Sequence, residues 1–222
     1  MEGCISDRLR DIRATIPDGV ELVAVSKFQP AEAIDEAYRA GQRVFGESRV
    51  NELLEKESRL PDDIQWHFIG HLQTNKVKAL VGHTSLIESV DSQRLLDLID
   101  EISFKRGVVT RVLMQVHVAA EQTKTGWSPD ELIAYFAEKR FERLRATHLC
   151  GIMGMATNTD DTARIEADFA AIRNIRDRIL EIAPELRGFD IVSMGMSDDY
   201  LLAIKYGATH VRIGSRIFGE RI

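Results

Sequence analysis

VELVAVSK, residues 20–27, is the stretch on which the fold turns. It is too short and too rich in valine for an independent helix, and it bears no charge between Glu21 and Lys27. That is the signature of a strand covered on both faces, released into a loop where the lysine stands. Seven further apolar runs follow, at residues 43–47, 65–70, 85–90, 109–118, 147–155, 190–194 and 210–214. They read as continuous Val/Ile/Leu/Met stretches rather than strict alternation, as expected for a parallel sheet with helices over its outer face.

Helix punctuation fills the intervals. Pro30 opens PAEAIDEAYRA and Gly41 closes it, proline near the start and glycine past the end. Asp91 precedes SQRLLDLIDEISFKR, which stops at Gly107, and Ser128-Pro129-Asp130-Glu131 reads as a capping box. The longest helix is predicted over residues 161–183, where Ile165, Phe169, Ile172, Ile175, Ile179 and Ile182 recur every three or four positions. Ser197, followed by two aspartates, is expected to start a helix that ends at Gly207. Eight strand–helix alternations over residues 1–222 predict an α/β fold, a single-domain (β/α)8 TIM-type barrel. Only residues 215–222 follow the last strand, too few for a normal eighth helix, so the helix predicted over about residues 5–16 is placed to pack on the barrel there. Periodicity alone leaves a doubly wound open sheet as the alternative.

At 222 residues and 44% hydrophobic, the chain can bury a full core. A net charge of −6, with no long basic run, argues against nucleic acid or an anionic membrane as partner. Cys4 and Cys150 form neither a disulfide framework nor a metal-ligand pattern, and no apolar stretch approaches the ~20 residues of a membrane span. The amphipathic N-terminus lacks the apolar centre of a signal peptide. A soluble, cytoplasmic protein is expected.

In a parallel barrel the active site lies at the C-terminal ends of the strands, where Lys27 falls. A solvated strand-end lysine is common. A lysine leaving an apolar strand at the barrel mouth also suits Schiff-base chemistry, which requires the neutral amine. At the reference pKa only about one molecule in two or three thousand is neutral at pH 7, so the pocket must lower that value. Barrels often hold phosphate with the loops after strands seven and eight. Here SMGMS (residues 193–197) and Gly214-Ser215 stand at those places, offering close backbone approach, hydroxyls and N–H groups; ordinary turn chemistry is the other reading. Arg212 alternates inward with Gly214 and needs an acceptor, either a ring nitrogen or a carboxylate in a structural salt bridge. His67 and His71 do not share a helix face, so no metal site is expected. Lys124-Thr125-Gly126 means little by itself, Gly151 to Gly154 lacks the setting of a dinucleotide loop, and Cys150 reads as a packed thiol.

With those residues in view, the chain resembles the pyridoxal phosphate homeostasis protein family. The likeness is carried, in order, by AVSK (24–27), FGES (45–48), WHFIGHLQTNK (66–76), ESVDS (88–92), KTGW (124–127), GIMGMA (151–156), SMGMSDD (193–199) and VRIGSRIFG (211–219). WHFIGHLQTNK and SMGMSDD are the specific signals. The resemblance implies a barrel like the N-terminal domain of alanine racemase, the fold type III of pyridoxal phosphate proteins. It implies that Lys27 holds pyridoxal 5'-phosphate as an internal aldimine, that Arg212 faces the pyridine nitrogen, and that Ser193, Gly214 and Ser215 bind the phosphate, supported by Ser197. His67 and Met194 would lie around the cofactor. Ser48 stands where the family usually has asparagine, which puts that side chain's role in doubt; RIGS in place of the common RIGT keeps the hydroxyl.

A cationic partner at the ring nitrogen weakens the cofactor as an electron sink without forbidding proton transfer. Alanine racemases add a second, β-rich domain that supplies an opposing tyrosine and a dimer interface. Tyr38, Tyr135, Tyr200 and Tyr206 all sit in helical patterns, none an evident replacement. The resemblance therefore implies a monomeric pyridoxal phosphate-binding protein of intracellular vitamin B6 and amino-acid balance, without established catalysis, whose partners are the cofactor and the pyridoxal phosphate-dependent apo-enzymes that receive it. Two alternatives stand beside it: a small amino-acid racemase, and an aldolase-type barrel in which Lys27 meets a substrate carbonyl.

Overall fold

The computed structural model describes residues 4–121 and 125–219; Lys124 of the KTGW motif lies outside them. Its eight strands are β1 (Glu21–Val25), β2 (Val44–Glu47), β3 (Gln65–Phe68), β4 (Leu86–Val90), β5 (Thr110–Gln115), β6 (Thr147–Met153), β7 (Ile191–Ser193) and β8 (His210–Ile213). They run parallel in sequence order, and β8 pairs back onto β1, Leu22 opposite Val211 and Ala24 opposite Ile213. That closure settles the architecture as a barrel rather than an open sheet.

The connections are α1 (Ile5–Arg13), α2 (Ala31–Arg39), α3 (Val50–Glu57), α4 (Thr74–Leu80), α5 (Gln93–Arg106), α6 (Pro129–Ala137), α7 (Thr162–Ile182), α8 (Tyr200–Lys205) and α9 (Ser215–Phe218), with a 3-10 turn at Arg140–Arg143. Local chemistry sets their ends. Ser92 Oγ accepts from Leu95 N–H at 3.4 Å to start α5, and Gly107 ends it at φ 67°, a left-handed cap that suits glycine. The capping box at Ser128 and Glu131 is made in both directions. The expected helix at Ser197 starts later: α8 begins at Tyr200, because residues 197–199 form a turn in which the Asp199 carboxylate accepts from Met196 N–H at 2.5 Å. Ser197 is thereby free of capping duty.

One large apolar layer lies between strands and helices, with Ile34, Leu53, Leu96, Phe136, Phe169 and Ile179 among its buried members. A smaller cluster of Leu86, Leu113, Cys150 and Met153 fills the barrel interior. It shares strand faces with Glu88 and Gln115, two residues on from Leu86 and Leu113. Gly151 belongs to β6, not to a ligand loop. A Cβ there would lie 1.9 Å from the Ile191 carbonyl oxygen, and its φ is +149°, so only glycine lets β6 and β7 approach. The short α9 is backed by α1, whose Ile5, Leu9 and Ile12 are buried and whose Arg8 Nε donates to the Ile217 carbonyl at 2.7 Å.

Candidate functional site

Beyond the C-terminal ends of the strands lies a cavity of about 220 Å³, the scale of a small molecule. Lys27 enters it from the turn after β1, following Val25 on the inward face. Ser48 follows β2, Ile69 follows β3, and Met153 and Met155 come from β6 and its exit. The loop after β7 contributes Met196 and Ser197; β8 and its exit contribute Arg212, Gly214 and Ser215. The walls thus combine the apolar side chains of Val25, Ile69, Met153, Met155 and Met196 with polar groups, among them Gln29, from several strand exits.

The exits of β7 and β8 form a small cradle. Gly214 N–H donates to Ser197 Oγ at 3.4 Å, a long bond, and Ser215 Oγ donates to the same oxygen at 3.0 Å. A Cβ on Gly214 would stand 3.1 Å from the Val25 carbonyl oxygen and 3.2 Å from Val25 Cβ, a tight approach that β1 would have to yield to by a few tenths of an ångström. Two hydroxyls, an amide and the first turn of α9 therefore converge where a small anion would be held by donors alone.

Of the nine residues singled out from sequence, Lys27, Ser48, Ser197, Arg212, Gly214 and Ser215 come together in this cavity. Ser193, His67 and Met194 do not line it. Met194 packs in the outer core. Ser193 is wholly buried, and its hydroxyl donates to Glu88 Oε2 at 2.5 Å while accepting from Arg212 Nη1 at 2.6 Å; it links those two side chains. His67 is likewise buried, its Nδ1 2.7 Å from Glu88 Oε1.

Glu88 is the residue that sequence reasoning passed over. It lies at the centre of the barrel, fully buried, joined to His67, Ser193 and, at 3.8 Å, the Arg212 guanidinium. Burial alone pushes its carboxyl up, but the bond and charge of His67, then Arg212 and the Ser193 hydroxyl, more than offset this and hold it at about 2. Burial also lowers Arg212, opposed by Glu88 and Asp199, yet a guanidinium stays charged at neutral pH. Arg212 Nη2 donates to the Gly154 carbonyl at 3.0 Å, so the side chain is fixed from beneath while it borders the cavity. His210 stacks on His67 with ring centroids 6.0 Å apart, and burial pushes it down to about 4, with Glu88 opposing. The signal for Glu88 was available: a lone carboxylate two residues on from Leu86 in a continuous apolar run shares that residue's face, and so must be buried and paired.

Lys27 thus shares one pocket with a donor cradle on the strand that closes the barrel. Among the described residues no group of three His, Cys, Asp or Glu is arranged to hold a metal, and no helix is long and apolar enough to cross a membrane. The family profile described as the alanine racemase N-terminal domain matches residues 3–222. Alanine racemase from Clostridium difficile superposes with a TM-score of 0.78 at 14% identity, over 98% of this chain and 57% of its own, a likeness of fold. The chain belongs to the pyridoxal phosphate homeostasis protein family. It is 41% identical to the member from Aquifex aeolicus, over 90% of this chain and 87% of that protein, and 37% identical to the human one, over 100% and 82%. The structure of PipY from Synechococcus elongatus with PLP bound superposes with a TM-score of 0.90 at 39% identity, over 97% of this chain and 100% of that one.

Proposed function

We propose that this protein binds pyridoxal 5'-phosphate in the Lys27 cavity and serves to hold and release it, in keeping with the homeostasis role in its relatives' names. The observation that carries the reading is the convergence of Lys27, Arg212, Ser197, Gly214 and Ser215 in one small cavity. The residues present fit the group: the cradle that a Cβ on Gly214 would crowd offers donors to a phosphate, and the apolar walls of Val25, Ile69, Met153 and Met155 offer faces to a ring. The bound cofactor supplies a reactive aldehyde conjugated to an electron-accepting ring.

The chain's own residues then have distinct tasks. Lys27 provides the amine for covalent attachment. Ser197, Ser215 and the Gly214 N–H exchange their mutual bonds for bonds to the phosphate, and Arg212, charged and anchored by Ser193 and Gly154, donates toward the ring's polar edge. Holding favours storage over turnover here. Among the described residues lining the cavity, Lys27 and Arg212 are the ionisable ones, and a guanidinium is a poor proton carrier at neutral pH. Recipient apo-enzymes fit this reading as partners.

The test is the visible spectrum of purified protein supplied with pyridoxal phosphate, then borohydride reduction and peptide mass mapping. The expected result is one cofactor mass fixed on Lys27. A label on another lysine, or none, overturns the assignment. Exchange of an amino acid's α-proton at catalytic rates would replace storage by racemase-type turnover.

A further inference from the structure

Three side chains outside the Lys27 cavity hold the segment that carries Lys27. Gln29 N–H donates to the Ser26 carbonyl at 3.0 Å, closing a four-residue turn with Lys27 and Phe28 at its centre. Phe28 has φ 65°. At the third position of a turn that value is the province of glycine or asparagine, and a bulky side chain there is strained. Something outside the turn must impose the conformation.

The imposing groups come from β2, α3 and Arg49, which precedes α3. Glu52 Oε1 accepts from Phe28 N–H at 2.6 Å, and the Arg49 guanidinium lies 4.6 Å from the centre of the Phe28 ring. On the other side of Lys27, Lys56 Nζ donates to the Ser26 carbonyl at 2.9 Å, and Ser26 Oγ donates to Glu47 Oε1 at 2.6 Å. Lys56 Nζ also joins the two carboxylates, at 2.7 Å to Glu47 Oε1 and 2.7 Å to Glu52 Oε1, so all three of its N–H bonds are committed. Glu52 and Lys56 stand four residues apart on α3, hence on one face. Glu47 and Lys56 are buried, and Glu47 Oε2 is buried without a hydrogen-bond partner. Ionic groups placed so deeply are costly, and their arrangement does more than fill space.

We propose that Glu47, Lys56 and Glu52 are positioning residues: a clamp that grips the peptide on both sides of Lys27 and fixes where its amine enters the cavity. The inference rests on the cofactor reading and deepens it. It makes the strained turn, not the lysine side chain alone, the determinant of covalent loading.

The experiment is a double-mutant cycle on the full chain, reading pyridoxal phosphate affinity from the visible band and melting temperature on the unloaded protein. Glu52→Ala is expected to weaken loading about tenfold, the scale of a charge-assisted bond to a backbone N–H. Glu52→Gln, which keeps an acceptor oxygen, should recover most of that. In a Phe28→Gly background, where positive φ needs no outside restraint, Glu52→Ala should cost less than about threefold while shifting the melting temperature as much as before. Equal losses of affinity in both backgrounds, or no loss on Glu52→Ala, would overturn the clamp while leaving the cofactor reading intact. Unmutated protein that takes no label on Lys27 would overturn both.

Discussion

Replacing His210 by asparagine should flatten the acid sensitivity of the fold. The ring lies on the inward face of β8, against His67 and near Glu88, and its ordinary value of 6.5 falls to about 4, chiefly through burial. The unfolded chain therefore binds a proton between pH 6.5 and 4 that the folded chain refuses. Stability contributed by the neutral ring is complete above pH 6.5 and is lost as pH falls toward 4. Two and a half pH units at ~1.36 kcal/mol each give about 3 kcal/mol in full, of which about 2.5 is gone by pH 4.5. The ring keeps some contact with solvent, which reduces this to about 2. Glu47 and Asp199, both raised chiefly by burial, act in the opposite sense, since a carboxyl that protonates more readily when folded gains stability on acidification. The informative quantity is thus the difference between proteins. Urea unfolding followed by tryptophan fluorescence at pH 8, 6.5, 5.5 and 4.5 supplies it. Unmutated protein should lose about 2 kcal/mol more than His210→Asn across that range. Parallel curves, within about 0.5 kcal/mol, would show that the ring titrates in the fold as it does in the unfolded chain, and would refute the argument.

Other perturbations have equally definite outcomes. Glu88, held at about 2, contributes stability that is present above its unfolded value of 4.5 and lost as pH falls toward 2, so Glu88→Gln should remove part of the acid transition below pH 4.5 while costing about 2–4 kcal/mol at pH 7, read by the same unfolding assay. Gly151→Ala, which drives a Cβ to 1.9 Å from the Ile191 carbonyl oxygen, should cost more than about 4 kcal/mol and lower the melting temperature by roughly 10 °C or leave the protein insoluble. Ser197→Ala removes the hydroxyl shared by Gly214 N–H and Ser215; it should weaken pyridoxal phosphate binding about tenfold but change melting of the unloaded protein by under about 1 kcal/mol, since the shared bonds are long and partly exposed. Trp127→Phe strips the Val90 carbonyl of the 3.0 Å bond from Trp127 Nε1 and should cost about 1–3 kcal/mol in urea unfolding, whatever the cofactor content.

The strands were legible because parallel barrels bury both faces, and a run such as residues 109–118 has no other economical explanation. The closure was not, since the pairing of Leu22 with Val211 is a contact between distant segments that periodicity does not encode. Lys27, Gly214 and Ser215 could be assigned to one mouth from topology alone, because every strand of a barrel ends on the same side. Ser193 shows the limit of that inference. Its place at the end of β7 matched a ligand hydroxyl, but alternation turns it inward onto Glu88 and Arg212. Lys56 was unreadable for a different reason. A lysine among glutamates on an amphipathic helix ordinarily lies in solvent, and only the fold shows that it points inward to the turn at Ser26.

The pairing of β1 with β8 has a consequence for the order in which the molecule becomes itself. Lys27 leaves the first strand, while Gly214 and Ser215 leave the last, so the pocket they share does not exist in any nascent chain that lacks its final segment. A ligand gripped at both ends, by Lys27 on one side and the Gly214–Ser215 cradle on the other, would act as a staple across the seam. Each tenfold excess of ligand over its dissociation constant adds about 1.4 kcal/mol against opening there. Vitamin supply and the lifetime of the folded protein would then be tied together at one joint.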